Sequence, residues 1–533
     1  MEQQHIIHIP NTYFRLSPDQ SCNGDFYLNY TPIGFNFEFI PLDKSIFSEL
    51  DLEESQCRIS FFLYEVKEIV FNKEEIKFVS IHFIFSKGTP FSPFYFPVFY
   101  HATVQHLLEF LLFKEKIQPN QVTNQNRYTV NHKYINRNRH SSNLIHDSEE
   151  FISPKHLSYL IHHKQIVQKI QTNDLSSDDE PLTLNDCLSF FQENGICNHF
   201  ENLKREIFRR GLTDEARTRI WPILLGLFSP QKTKEENLNF LKRKLIEYQT
   251  IRSQWDSIIK SQEDEVTEIA ELIRVVENDV KRTDRVLPQF KSDNHPNLVL
   301  LHNVLISYAL YNRDTGYVQG MGDLVSPFII LFIKDWKDSE HAVLYDDTVV
   351  TRVEAESLMM WLLCSLMNTM QQDRMFTDLA KHQQFAMERT YAIIKATHKP
   401  LNEWLVENEL TELFFLYRPI LLLFKREFEI KFVFRLWDCF FSHSKPYTFP
   451  RFFLSAVLIQ LFPRLMLHTK GGIGDVMSLT DKIIGSLNGH STLNIAIGLQ
   501  EIMNEAGKTE EWALEPLPEK AEYRSYRSQF LKI

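Results

Sequence analysis

This chain of 533 residues contains few glycines and few cysteines, and its basic side chains are outnumbered by acidic ones. Only 16 residues are glycine, which argues against turn-dense sandwiches and propellers and favours helices, because helices rarely need positive φ. The six cysteines have no CxxC spacing, which argues against a disulfide framework and a zinc ribbon. Basic residues number 58 against 69 acidic ones, a net charge of −11, so nucleic-acid binding is not expected.

The sequence also lacks the common motifs of catalysis and cofactor binding. It contains no GxxxxGK[ST], GxGxxG, HExxH or GxSxG pattern, so we expect no P-loop, dinucleotide site, zinc-protease site or nucleophile elbow. The histidines of the central polar segment lack the spacing of metal ligands: His132, His140, His146, His156, His162 and His163. We therefore expect neither a metal nor a cofactor bound by the chain itself.

No segment has the pattern of a signal peptide or of a membrane span. The first residues, MEQQHIIHIPNTYF, show no basic stretch followed by an apolar one. The most apolar segment, 452–467, is interrupted by Pro463 and Arg464 and falls short of the roughly 20 clean apolar residues that a spanning helix needs. Any contact with a membrane is therefore expected to be peripheral.

Composition and periodicity divide the chain into four parts. Residues 1–115 are rich in apolar strand-like runs and end in an amphipathic helix over 101–114, which predicts a small α+β module. Residues 116–181 are polar and Asn-rich, which predicts a partly disordered linker, and its short basic stretch is better explained by solvation than by anionic lipid. Helical periodicity predicts one all-α domain over 182–515, followed by a tail at 516–533.

The first notable segment of the helical region is FRRGLTDEARTRIWPILLGLF, residues 208–228. Thr213 is placed to cap a helix, and the acidic residues after it suit the positive helix start. Arg217 and Trp221 lie four residues apart on one face of that helix. A structural role for this pair, as an opening helix with a buried tryptophan, is favoured over a contact with a partner.

The second segment is RVVENDVKRTDR, residues 274–285. On a helical wheel the apolar stripe that ends at Val280 faces the core, whereas Arg282 points almost directly away from it. Asp279 lies on the flank, three residues before Arg282, where the two side chains can pair. Taken alone, this pattern is that of an ordinary surface salt bridge.

The third segment is YNRDTGYVQGMGDLVSPFI, residues 311–329. Turn residues end one helix, and a second helix begins near Met321 and includes Asp323. Tyr317 and Gln319 lie between Gly316 and Gly320, which predicts a short loop that another backbone can approach closely. Taken alone, an ordinary interhelical loop explains this segment equally well.

Together and in this order, the three segments resemble the TBC domain of Rab GTPase-activating proteins. Val276, Asp279 and Arg282 match the IxxDxxR pattern of that family, with Val in place of Ile, and Tyr317 with Gln319 matches its YxQ pattern. The RGL…R…W…LLG opening and a later block, LLLFKREFEIKFVFRLWD, are similar too, so the resemblance covers about 200–445. Pro419, within LFFLYRPILLLFKREF, departs from the family pattern and makes the local helix path hard to predict.

The resemblance implies a division of catalytic labour between two proteins. Arg282 would act as an arginine finger and Gln319 as a glutamine finger, both supplied in trans to a GTP-bound Rab GTPase that carries the GTP and Mg²⁺. Asp279, Tyr317, Gly316 and Gly320 would support them. The chain would then be a GTPase activator rather than a self-contained enzyme. Arg217, Trp221 and Asp323 would be structural or would contact the partner.

Two further expectations follow from the branch of the family that the chain resembles, that of the yeast vacuolar Rab GAP and its animal relatives. That branch implies a PH-like, Rab- or lipid-binding amino-terminal module, and a cytoplasmic protein peripherally associated with late endosomes or the vacuole. The alternatives to a GTPase activator are a scaffold or Rab effector that binds without accelerating hydrolysis, and a helical adaptor whose motifs are coincidental.

Overall fold

The computed structural model describes most of the chain in two compact units, the first of Met1–Lys169 with Met466–His468 and the second of Ile170–Leu465 with Thr469–Ile533. The described residues are 4–17, 20–31, 34–42, 58–72, 78–85, 93–114, 116–119, 127–130, 154–171, 180–261, 268–377, 379–469 and 472–505. Each unit has its own architecture.

The amino-terminal unit is built on an antiparallel sheet. Its strands are β1 (Gln4–Ser17), β2 (Gln20–Thr31), β3 (Gly34–Pro41), β4 (Ile59–Phe62), β5 (Val66–Asn72), β6 (Phe78–Phe85), β7 (Phe94–Pro97), β8 (Ile117–Pro119) and β9 (Arg127–Val130). They are hydrogen-bonded in the order β4-β3-β2-β1-β7-β6-β5-β9-β8. Helix α1 (His101–Phe113) follows β7, and helix α2 (Pro154–Ile170) follows β9.

Phenylalanine fills the interior of this sheet. Phe35, Phe37 and Phe39 alternate along β3, so they share one face of the sheet, and all three are buried. The rings of Phe37 and Phe83 lie 4.8 Å apart between centroids. The apolar stripe of α1 is buried as predicted, with Leu107 at its centre. The predicted β-rich amino-terminal module is confirmed, while its PH-like character stays a prediction.

The structure differs from the sequence analysis within 116–181, which the composition indicated to be a linker. Strands β8 and β9 lie in this range, and Ile69 of β5 pairs with Tyr128 of β9. Ile117 and Val130 are buried in the sheet. Strands of three and four residues are too short to reveal an alternating pattern in a polar sequence. Pairing of β9 with β5 and of β8 with β9, rather than local preference, determines them. The remainder of the predicted linker, apart from α2, lies largely outside the described residues.

The second unit is mainly helical. Its helices are α3 (Leu184–Leu188), α4 (Phe200–Arg210), α5 (Asp214–Leu224), α6 (Lys234–Ser261), α7 (Glu268–Val280), α8 (Pro288–Lys291), α9 (Pro296–Tyr311), α10 (Gly322–Phe332), α11 (Arg352–Thr369), α12 (Gln372–Thr377), α13 (Leu379–Thr397), α14 (Lys399–Glu407), α15 (Tyr417–Leu421), α16 (Ile430–Ser442), α17 (Phe449–His468), α18 (Ile473–Ile483) and α19 (Gly489–Glu505). The predicted helical region is confirmed.

The expectation that 182–515 is entirely α-helical is wrong in one place. A three-stranded antiparallel sheet lies between α10 and α11, made of β10 (Ile333–Asp338), β11 (His341–Leu344) and β12 (Val349–Thr351). The two connections are short turns, and Asp347 in the second has φ of 64°. Alternating and β-branched residues joined by tight turns produce this meander. The predicted tail at 516–533 lies outside the described residues.

Two details of the helical unit bear on the sequence-based expectations. Helix α15 accommodates Pro419 because the helix is only five residues long and the backbone N–H groups of a first turn have no intrahelical partner. Among the described residues, α17 is long and apolar enough to cross a membrane by length and composition, but 78% of its apolar window is buried inside the protein. A buried helix of this kind is typical of a protein core.

Candidate functional site

Arg282 lies in the turn that follows α7, with its guanidinium at the surface. The helical wheel treated Arg282 as a helical residue, whereas α7 ends at Val280. The hydroxyl of Thr283 donates to the Asp279 carbonyl over 2.9 Å, and Asp284 takes a left-handed φ of 51°. The turn nevertheless leaves the Arg282 side chain 54% exposed, as the wheel predicted. Val276 and Val280 are buried, whereas Val266 lies outside the described residues.

Asp279 is a buried carboxylate that joins two segments of chain. Its side chain is 2% exposed, and its Oδ1 accepts from Arg282 Nη2 over 3.0 Å and from Arg282 Nε over 3.0 Å. Its Oδ2 accepts from the Tyr317 hydroxyl and from the backbone N–H of Gly320 over 3.0 Å. One carboxylate therefore fixes both the arginine and the loop that contains Gln319. Hydrogen bonds to an ionised acceptor are the strong ones.

The loop over 312–321 presents Gln319 to the solvent. Gly316 and Gly320 have φ of 61° and 100°, backbone conformations that L side chains rarely adopt. A Cβ on Gly320 would also approach Leu422 Cδ2 to 3.2 Å. Gln319 is exposed, and its side chain makes no hydrogen bond within the part of the chain that the structure describes. Its amide is therefore available to a molecule that docks on this face.

Tyr317 is held in its protonated form. Burial and the hydrogen bond to Asp279 raise the pKa of Tyr317 well above its usual range. The hydroxyl therefore donates to Asp279 throughout the neutral pH range. Tyr317 and Gly320 flank Gln319 along the chain, so their shared acceptor fixes the loop on both sides of the glutamine.

Arg217 and Trp221 lie in the core rather than at the surface. Both are buried, and both donate to Asp438 of α16, Trp221 Nε1 over 2.8 Å and Arg217 Nη2 over 2.8 Å. The backbone N–H of Leu212 donates to the same carboxylate over 3.0 Å. Thr213 caps α5 as predicted. Asp438 thus ties the start of α5 to α16.

Asp438 was not among the candidate site residues predicted from the sequence. It stood in the family-like block 421–438 without an assigned role. Its partners lie 217 to 226 positions earlier in the chain, so no local pattern could have indicated the contacts. The resemblance of both segments to one family was the only available signal.

Replacing Asp438 with asparagine is expected to destabilise the helical unit by about 3–5 kcal/mol, because the buried Arg217 loses its main counter-charge. Urea unfolding of the full chain measures the change. Asp346→Asn serves as the control, since Asp346 pairs with Arg219 of the same helix at the surface and such pairs contribute about 0–1 kcal/mol. Equal effects of the two substitutions would contradict the structural role of Asp438.

Asp323 is buried at the start of α10. Its carboxylate accepts from Lys425 Nζ over 3.2 Å and from Arg426 Nη2 over 2.6 Å. It is therefore oriented towards the interior rather than towards a docking molecule. Among the described residues no group of three or more His, Cys, Asp or Glu side chains could hold a metal ion.

Comparison with known proteins gives one consistent match. Residues 214–466 match the model of the Rab-GTPase-TBC domain. TBC1 domain family member 17 of Mus musculus is 30% identical over 258 residues, which cover 48% of this chain and 36% of that protein. GTPase-activating protein GYP7 of Candida glabrata is 27% identical over 315 residues, which cover 54% of this chain and 39% of that protein. The chain thus spans less than two fifths of the length of either relative.

Among solved structures, the Ypt/Rab-GAP domain of Gyp1p is similar to this chain with a TM-score of 0.49 and 17% sequence identity, covering 64% of this chain and 99% of that one.

Proposed function

We propose that this chain accelerates GTP hydrolysis by a Rab-type small GTPase, because residues 214–466 match the model of the Rab-GTPase-TBC domain. In this proposal the partner carries GTP and Mg²⁺, and the chain supplies Arg282 and Gln319. Asp279 supports the proposal most directly, because one buried carboxylate holds the exposed arginine and the exposed glutamine loop together. An ordinary surface salt bridge would join only Asp279 and Arg282 and would not also bind the loop that contains Gln319.

Arg282 has the chemistry of an arginine finger. Hydrolysis of GTP builds negative charge on the phosphate oxygens, and a guanidinium inserted by a partner stabilises it. Arginine carries a permanent charge on a planar group with several donors. Asp279 engages Nε and Nη2, so it orients the plane of the guanidinium and leaves the charge at the surface.

Gln319 has the chemistry that orients a water molecule. A carboxamide both donates and accepts, so Gln319 can hold the attacking water while it also contacts the partner. Small GTPases use a glutamine of their own for this step. We propose that Gln319 replaces it.

The loss of charge at Asp279 should disturb both groups at once. Asp279→Asn is expected to lower the stimulated rate of hydrolysis about 10- to 100-fold, since small displacements of catalytic groups have effects of this size. The asparagine NH₂ would face donors from Arg282 or from Tyr317 and Gly320. Single-turnover hydrolysis measures the change, and Asp293→Asn, which removes the partner of Arg285 at the surface, is the control. An unchanged rate in Asp279→Asn would contradict the positioning role.

The proposal also covers the role of the amino-terminal unit and the place in the cell where the protein acts. We propose that the β-rich unit is a PH-like module that binds a Rab or a lipid, and that the protein acts at the surface of late endosomes or the vacuole. The proposed location rests on the resemblance of the chain to the branch of the family that contains the yeast vacuolar Rab GAP.

A non-catalytic scaffold or Rab effector is the second candidate. It would bind a GTP-loaded GTPase through the same face without accelerating hydrolysis. Single-turnover hydrolysis by a panel of purified, GTP-loaded Rab-type GTPases distinguishes the two, with and without the full chain. We expect at least one member to be accelerated about 10³-fold or more. Binding without acceleration would establish the scaffold, and neither binding nor acceleration would refute both.

A further inference from the structure

Lys425 is buried between the carboxylates of Asp284 and Asp323, which belong to the segments that contain Arg282 and Gln319. Its side chain is only 6% exposed, and its ammonium donates to Asp284 Oδ1 and to Asp323 Oδ1 over 3.2 Å. Asp284 lies two residues after Arg282, and Asp323 lies four residues after Gln319. A single ammonium therefore connects the arginine turn to the helix that follows the glutamine loop.

Asp284 depends on Lys425 more than Asp323 does. Asp323 keeps a second cation, because Arg426 donates to its Oδ2 from Nε over 2.9 Å. Asp284 is 12% exposed, and among the described residues its Oδ2 is buried without a hydrogen-bond partner. Its left-handed φ of 51° is a conformation that persists in a non-glycine residue only where the surroundings support it. The ion pair with Lys425 supplies that support.

This connection is separate from the one that Asp279 makes. Asp279 contacts the guanidinium of Arg282 and the loop before α10, whereas Lys425 contacts the turn after Arg282 and the first turn of α10. Thr283, between the two, lies against α10, where a Cβ on Gly322 would approach its Oγ1 to 3.2 Å. The arginine turn is thus tied to the glutamine loop on the amino-terminal side of Arg282 and to α10 on its carboxyl-terminal side.

We propose that Lys425 is a positioning residue that sets the register of the Arg282 turn relative to the Gln319 loop. The inference rests on the proposed function for its effect on hydrolysis, although the structural effect can be measured without a GTPase. Lys425 touches neither the finger side chains nor, in this proposal, the GTPase.

The test uses the full chain and three variants at this network. Lys425→Met removes the ammonium. The double variant Lys425→Met with Asp284→Asn removes both members of the pair, so no buried charge at Asp284 is left unpaired and folding is preserved. Asp284→Asn alone keeps an amide oxygen that can accept from Lys425. Arg252→Met is the matched control, because it breaks a partly buried ion pair with Glu356 that joins α6 to α11.

The first readout is amide hydrogen exchange of the free protein. Both Lys425 variants are expected to exchange at least ten times faster over 281–287 and 316–321, including the Gly320 N–H that bonds to Asp279, while the rest of the helical unit is unchanged. Asp284→Asn should stay within a few-fold of wild type, and Arg252→Met should not change these segments. Unchanged exchange in the double variant would overturn the proposal.

The second readout is stimulated hydrolysis by the GTPase that the wild-type chain accelerates most. The double variant should lose at least tenfold in kcat with KM nearly unchanged, and Asp284→Asn should retain most of the rate. A loss confined to KM, or an equal loss in Arg252→Met, would overturn the positioning role. If the wild-type chain accelerates no GTPase, the proposed function fails, and the exchange measurement still decides the role of Lys425.

Discussion

Arg282→Ala is expected to lower the stimulated rate of GTP hydrolysis by about 10³-fold or more, while leaving the chain folded. An arginine finger contributes roughly 10³–10⁵ in rate because it neutralises charge that develops only in the transition state. The side chain is 54% exposed, and its ion pair within the described part of the chain is with Asp279, so its removal should change the free energy of unfolding little. Single-turnover hydrolysis and thermal unfolding measure the two effects.

Arg274→Ala is the matched control for this substitution. Arg274 is also an exposed arginine of the same segment and pairs with Glu271 three residues earlier, but it lies within α7, about two helical turns before the turn that holds Arg282. Its removal should leave the rate unchanged. A similar loss of rate in both variants would indicate a general electrostatic effect, and a collapse of Tm in Arg282→Ala would contradict its assignment to the surface.

Gln319→Ala is expected to lower the stimulated rate by about 10²-fold or more, the size of effect seen when a single polar group that stabilises the transition state is removed. The glutamine makes no hydrogen bond within the described residues, and the loop is held by Gly320 and Tyr317. Binding of the GTP-loaded partner should therefore be largely retained. Single-turnover hydrolysis at saturating concentrations of the chain measures the rate free of binding effects.

Gln231→Ala provides the comparison, since Gln231 is an exposed glutamine in a turn elsewhere in the helical unit. It should leave hydrolysis unchanged. Full activity in Gln319→Ala would mean that the water is oriented by the GTPase, and the chain would then supply only an arginine.

The sequence was sufficient where the determining contacts are local. The apolar stripe that ends at Val280 predicted a buried face, and Val276 and Val280 of α7 are buried. The spacing of Asp279 and Arg282 predicted that they can pair, and the glycines around Gln319 predicted a short loop that another backbone can approach closely. Each of these features depends on residues within a few positions of one another, so helical periodicity and turn chemistry are enough to indicate them.

The contacts that join these features could not be predicted in this way. Tyr317 and Gly320 reach Asp279 from 38 and 41 positions away, and Lys425 reaches Asp284 from 141 positions away. Side chains this distant in sequence meet only because the helices pack against one another. Polar pairs of this kind produce no periodic pattern in the sequence. The end of α7 before Arg282 was not predicted because the terminal residues of a helix are uncertain by one or two positions. The meander β10–β12 was not predicted because its strands are short.

The most direct test of the account uses a GTPase that lacks its own catalytic glutamine. The Rab-type GTPase that the chain accelerates most is prepared with that glutamine replaced by alanine, and its single-turnover hydrolysis is measured with wild-type chain, Arg282→Ala and Gln319→Ala. If both catalytic groups come in trans, the wild-type chain accelerates this GTPase nearly as well as the unaltered one, and neither variant does. Loss of acceleration by the wild-type chain, together with activity of Gln319→Ala on the unaltered GTPase, would contradict the two-finger account.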